Sequence, residues 1–89
     1  MKREEIEKIV NEILISEIEI DEDRLKGNVS LKNNLSIDSL SLVDLVAFLE
    51  KAFLIRIKLY EIDGVDTLNH LYDFLEFKIQ EKINNKGAR

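Results

Sequence analysis

The 89-residue chain has no cysteine, no proline and no tryptophan, three glycines, and a single histidine, His70. Without cysteine, neither a disulfide framework nor a thiolate metal site can form. Without proline, the boundaries between elements must be marked by Asn, Asp, Ser and Gly. No apolar run approaches the ~18 residues of a membrane span. The charged start, MKREEIEKIV, carries acids too early for a secretory or transit peptide. A basic surplus is missing as well: 13 Lys and Arg against 18 Asp and Glu leave a formal charge of −5. Nucleic acid is therefore not an expected partner, because no basic face is available to neutralise phosphates. The expectation is a cytoplasmic chain without membrane insertion, facing basic patches on other proteins.

What is present is a globular mixture, 45% hydrophobic and 35% charged. The length fits one domain over residues 1–89, expected as a monomer, with an ordered core over about 3–80 and a frayed tail over 83–89. A chain this short buries a modest share of its surface, so its stability should be small.

Ile6, Ile9, Val10, Ile13 and Leu14 repeat at i, i+3, i+4, i+7 and i+8, which predicts a helix from about Lys2 to Ser16. The next stretch, EIEIDEDRLKGNVSLKNN, is polar and long for a connection, a length that usually signals function or a short helical turn. Ile18, Ile20, Leu25, Val29 and Leu31 are its anchors to the core. A second helix starts near Asp38 or Ser39 and runs to about Phe53. Leu42, Leu45, Val46, Leu49 and Phe53 form its inner stripe, while Leu40, Val43, Ala47 and Phe48 spread the apolar surface further round. That excess suits a central helix or a partner face. FLIRIKLY, residues 53–60, alternates like a strand and could pair with Ile18 and Ile20. One isolated pair of short strands is marginal, so the segment is expected as a connection. Tyr60 to Asp63 fits one helical turn ending at Gly64. The last helix begins at Thr67, a good N-cap, with Leu68, Leu71, Tyr72, Leu75 and Ile79 inward. It is expected to fray into EKINNKGAR. The fold class is all-α: a small four-helix bundle, three main helices and one short, with a long first loop.

LSIDSLSLVDLV, Leu35 to Val46, carries more polar groups than a helix start needs. Ser36, Asp38, Ser39 and Ser41 can each satisfy free N–H groups, and Ser41 with Asp44 has capping-box spacing. From local physics alone, capping is the leading account of Ser39. A catalytic Ser39 would require His70 as its base, without a glycine-framed elbow, and is disfavoured. The acids of DEDR lack the spacing and glycine of a calcium loop, so no metal site is expected. A third account gives Ser39 a covalent phosphate, because a helix N-terminus offers N–H donors and a positive dipole end.

Leu35-Ser36-Ile37-Asp38-Ser39-Leu40, followed by Val43-Asp44-Leu45-Val46, Leu49-Glu50, Phe53, Ile55 and Ile57, resembles the acyl carrier proteins. The likeness extends without gaps from about Glu5 to Leu75. It implies a carrier rather than an enzyme. Its serine, here Ser39, would hold a 4′-phosphopantetheine arm delivered from coenzyme A by a phosphopantetheinyl transferase, with Mg²⁺ belonging to the transferase. Acyl groups would ride on the arm as thioesters between enzymes of fatty-acid or related acyl metabolism, the chain acting as a freestanding carrier. By the same resemblance Asp38, Leu40, Val43, Asp44, Ala47 and Glu50 would meet acyl-loading and acyl-consuming partners through basic or apolar docking patches. Leu31, Val46, Leu49, Ile57, Ile62, Val65, Leu71 and Leu75 would line an acyl pocket, or simply pack the core.

Several positions depart from the family pattern. Residues 38–53 hold three acids (Asp38, Asp44, Glu50) and one lysine (Lys51), a net −2, where the family's helix is densely acidic. Asn33-Asn34 replaces acids, Ser36-Ile37 replaces a glycine-containing pair, and Arg56 and Lys58 replace an acid and a proline. A less negative, more apolar face implies partners other than those of a housekeeping carrier. The alternatives are a dedicated carrier for an amino acid, polyketide unit or specialised lipid, and a non-carrier helical interaction module with Ser39 only a cap.

Overall fold

The computed structural model describes the backbone of residues 1–87 and the side chains of residues 1–84. Among the described residues four α-helices follow one another: α1 (Arg3–Ser16), α2 (Ser39–Phe53), the single turn α3 (Leu59–Ile62) and α4 (Leu68–Gly87). A 3₁₀ turn, Glu22–Arg24, interrupts the long first loop, one of the two features its length suggests. No strand occurs among the described residues; residues 53–60 form a connection in which Ile55 and Ile57 point inward.

The predicted stripes are the observed core. Ile6, Val10 and Leu14 of α1 are fully buried, and α1 packs against both α2 and α4. Leu42, Leu45, Val46, Leu49 and Phe53 bring α2 into the same cluster, and Leu68, Leu71, Tyr72 and Leu75 bring α4. No buried polar or charged side chain interrupts it among the described residues. Exposed ion pairs tie the outer rims. Arg3 reaches from α1 to Asp73 at 2.7 Å and Glu76 at 3.3 Å on α4, and its guanidinium lies 5.5 Å from the centre of the Tyr72 ring.

The long loop is fixed by backbone hydrogen bonds as well as by its anchors. Leu31 N–H donates to the Asp66 carbonyl at 2.9 Å, and Ser30 and Thr67 form an isolated antiparallel bridge. In return the loop caps α4: Leu68 and Asn69 N–H donate to the Val29 and Gly27 carbonyls, at 3.0 and 2.9 Å. Thr67 Oγ1 accepts from His70 N–H at 3.1 Å, the expected N-cap. Three of the free donors at that helix end are thus satisfied. Arg24 adds a further tie by donating to the Asn34 carbonyl.

One local detail differs from expectation. The helix α4 continues through Asn84 to Gly87 instead of fraying after Gln80. Each residue added to an existing helix gains one hydrogen bond without a new nucleus, so modest propensity suffices to propagate it. Residues 88 and 89 of the expected tail lie outside the described residues. At the start of α2 the cap falls to Asp38, one of the four candidates the sequence offered.

Candidate functional site

Asp38 has extended backbone geometry and closes the start of α2: its Oδ1 accepts from Ser41 N–H at 2.8 Å. Ser41 is therefore the third helical residue and a donor to the cap, and its capping-box pairing with Asp44 does not form. The reason is spacing, since Asp38 already stands three residues before that N–H and Asp44 lies a turn further into the helix. The Ser41 backbone N–H, and after it the Ser41 hydroxyl, holds the Asp38 pKa below the ordinary aspartate value. At neutral pH the group is a carboxylate.

With the cap assigned to Asp38, Ser39 is left as the first residue of α2, exposed to solvent and in no side-chain hydrogen bond. Ser36, two residues before the cap, has φ 56°, in the left-handed region. That geometry favours glycine and explains why the resemblance places a glycine-containing pair here. It turns the chain so that Leu35 and Ile37 enter the core while Ser36 and Asp38 face outward.

Two concavities meet at Ser39. The outer one is shallow, about 440 Å³, lined by Lys32, Ser36, Ile37, Asp38 and Ser39. The inner one is a narrow cleft of about 20 Å³. Leu31, Ile37, Leu42, Ile62 and Val65 give it apolar walls, with Lys32, Asp38, Ser39 and Asp63 at its rim. Room for a water begins at ~10–15 Å³, so in this state the cleft holds about one. An acyl chain could enter only by spreading those walls.

Of the eight residues expected to line an acyl pocket, Leu31, Ile62 and Val65 border the cleft. Val46, Leu49, Ile57, Leu71 and Leu75 are buried in the cluster behind it. They pack against neighbours here, which the resemblance also allowed. Ile37 and Leu42 border the cleft and were not singled out for that role; their sequence signal was only their place in an apolar stripe.

The expected recognition residues fall into two groups. Leu40 (77% exposed), Val43 (49%), Asp44 and Ala47 lie on the outer surface of α2 at i, i+3, i+4 and i+7, beginning next to Ser39. Glu50 is half-buried and already occupied: its Oε2 accepts from Ile57 N–H at 2.9 Å, pinning the segment after α2. Its carboxylate organises this fold rather than standing free on the surface. Lys51, one turn beyond Ala47, continues the same outer row.

His70 is exposed, and its Nδ1 accepts from Asp66 N–H at 3.3 Å, so it serves the turn before α4. No group of side chains suited to a metal ion occurs among the described residues.

The family model described as Phosphopantetheine attachment site matches residues 8–75. An acyl carrier protein of Prochlorococcus marinus is 33% identical over 78 residues, 88% of this chain and 98% of that protein. One of Petrotoga mobilis is 30% identical, over 89% and 93% of the two chains. The crystal structure of an acyl carrier protein from Thermotoga maritima superposes with a TM-score of 0.77 at 27% identity, covering 91% of this chain and 94% of that one. The matched span contains α2, both concavities and the segment that caps α4. This chain belongs to the acyl carrier proteins, non-enzymatic carriers of acyl groups on a covalently attached 4′-phosphopantetheine.

Proposed function

We propose that Ser39 is the residue that carries the 4′-phosphopantetheine arm, and that the outer row of α2 receives the enzymes acting on it. One observation carries the assignment: Asp38 performs the capping, which leaves an exposed, uncommitted serine hydroxyl at the positive end of a 15-residue helix. When bound, the arm supplies a terminal thiol that holds acyl groups as thioesters. The chain's own contribution is placement. The rigid start of α2 fixes the attachment oxygen, Leu40 and Val43 offer apolar contact beside it, and the cleft walls shelter a chain that spreads them.

Intact mass after incubation with coenzyme A and a broad-specificity phosphopantetheinyl transferase tests this reading. Wild type should gain one phosphopantetheine and Ser39→Ala none. A wild type left unmodified, while a control carrier is loaded, would mean that Ser39 is only a surface residue of a helical interaction module.

The reading extends to work in the cytoplasm, within fatty-acid synthesis or related acyl metabolism. The charge of α2 favours a dedicated carrier within that class. With Glu50 engaged and Asp38 used as a cap, the outer row presents Asp44 against Lys51 around an apolar centre. Such a face meets its partners more by apolar contact than by steering. Mass spectrometry of thioesters on protein from its native cell would identify the cargo, and a mixture of ordinary fatty-acid intermediates would refute the dedicated role.

A further inference from the structure

Among the residues lining the two concavities at Ser39, the cation is Lys32. It follows Leu31 on the loop before α2 and borders both the outer basin and the inner cleft. Its Nζ lies 3.6 Å from Asp63 Oδ1 and 3.5 Å from the Asp63 carbonyl oxygen, bridging the loop and the residue after α3. Both contacts are long, and the two side chains are 59% and 69% exposed, so solvent screens the pair and it is easily exchanged.

A phosphodiester on Ser39 would place a negative charge beside the Asp38 carboxylate. The Ser41 N–H is already taken by Asp38. The cation that borders the same basin is Lys32, on a flexible stem with three donors. We propose that Lys32 exchanges partners: it holds Asp63 in the unmodified chain and turns to the Ser39 phosphodiester in the modified one, releasing the tie across the cleft rim. Because that pair is exposed, its release would ease the rim beside Leu31, Ile62 and Val65 only slightly. The inference rests on Ser39 as the attachment site and adds to it a positioning residue.

The test uses wild type, Lys32→Met, Lys32→Arg and Asp63→Asn, each treated with coenzyme A and transferase and checked by intact mass. Failure to load the wild type would overturn the Ser39 assignment, and this inference with it. With loading established, the phosphorus-31 resonance of the single phosphodiester is followed as salt is raised. In wild type it should move toward the Lys32→Met position as the ion pair is screened, whereas in Lys32→Met it should be nearly insensitive. Lys32→Arg should restore the wild-type response. Amide exchange at Val65 should accelerate on loading wild type, and Asp63→Asn should exchange that fast before loading. Coincident phosphorus resonances in loaded wild type and Lys32→Met, at every salt concentration, would overturn the exchange of partners while leaving Ser39 as the attachment site.

Discussion

Asp38 shows how one side chain can settle the role of its neighbour. Its carboxylate is the helix cap, and Ser39 is free because of it. Asparagine caps about as well as aspartate, whereas alanine does not cap. Thermal unfolding at neutral pH should therefore show a clear loss of Tm for Asp38→Ala and a much smaller one for Asp38→Asn. The pH dependence has a defined sign. Hydrogen bonding lowers the Asp38 pKa in the folded chain, so its stabilising contribution is present above the unfolded value and lost as pH falls through the folded one. The advantage of wild type over Asp38→Asn should accordingly fade below about pH 4, near the usual aspartate pKa. Because Asp38 is exposed, the effect should also shrink with salt. Glu61 belongs with it: the Lys58 backbone N–H, and then Lys78, hold its pKa low, so it adds to acid sensitivity in the same direction. Neither assignment could be read from residue types alone. Ser36, Asp38, Ser39 and Ser41 are all able to cap, and the backbone path through Ser36 decides which one does.

Helix α2 ends as unusually as it begins. Leu54 follows Phe53 with φ 55°, a left-handed cap position where glycine is the common choice. Its N–H and that of Ile55 both donate to the Glu50 carbonyl, and the Glu50 carboxylate takes the N–H of Ile57. The left-handed geometry costs an ordinary residue roughly 1–2 kcal/mol. Leu54 is 72% exposed, so little packing is lost on its removal. Glycine forfeits about 0.5–1 kcal/mol of that gain through its extra freedom when unfolded. Leu54→Gly should thus raise stability by up to ~1 kcal/mol, seen as a higher guanidinium midpoint at unchanged slope. The outer row of the same helix gives a separate expectation. Lys51 continues the row of Leu40, Val43, Asp44 and Ala47 and also borders a groove beside α1 with Ile9, Ile13 and Phe48; Ala52 borders that groove but lies off the row. Lys51→Glu should strengthen binding to a basic housekeeping synthase severalfold at low salt, and Ala52→Glu should add little. Titrations at two ionic strengths would check both, since the gain from charge must vanish as salt rises.

At the scale of the whole molecule, α1, α2 and α4 share one buried apolar cluster. Leu45 and Leu75 are fully buried where the three long helices meet, and truncating either to alanine should cost ~2–5 kcal/mol. For a domain of this size that is a large part of its total stability, so the urea midpoint should fall markedly. The apolar periodicity of the sequence determined the helices, their inward faces and the all-α class, since burial of those stripes has only a few compact solutions. It determined the connection at residues 53–60 less directly: Ile55 and Ile57 alternate as a strand would, yet among the described residues no neighbouring strand exists to pair with them. The motif around Ser39 also made the family legible, because its apolar spacing runs through both flanking helices. Only the tertiary structure decided that Asp38 rather than Ser41 caps α2, that Glu50 serves the backbone of Ile57, and that Lys32 stands with Asp63 at the rim of the cleft. Those assignments join residues 7 to 31 positions apart, or depend on a single left-handed turn at Ser36. Periodicity reports which face of an element is buried; it carries no information on which exposed side chains from different elements come together.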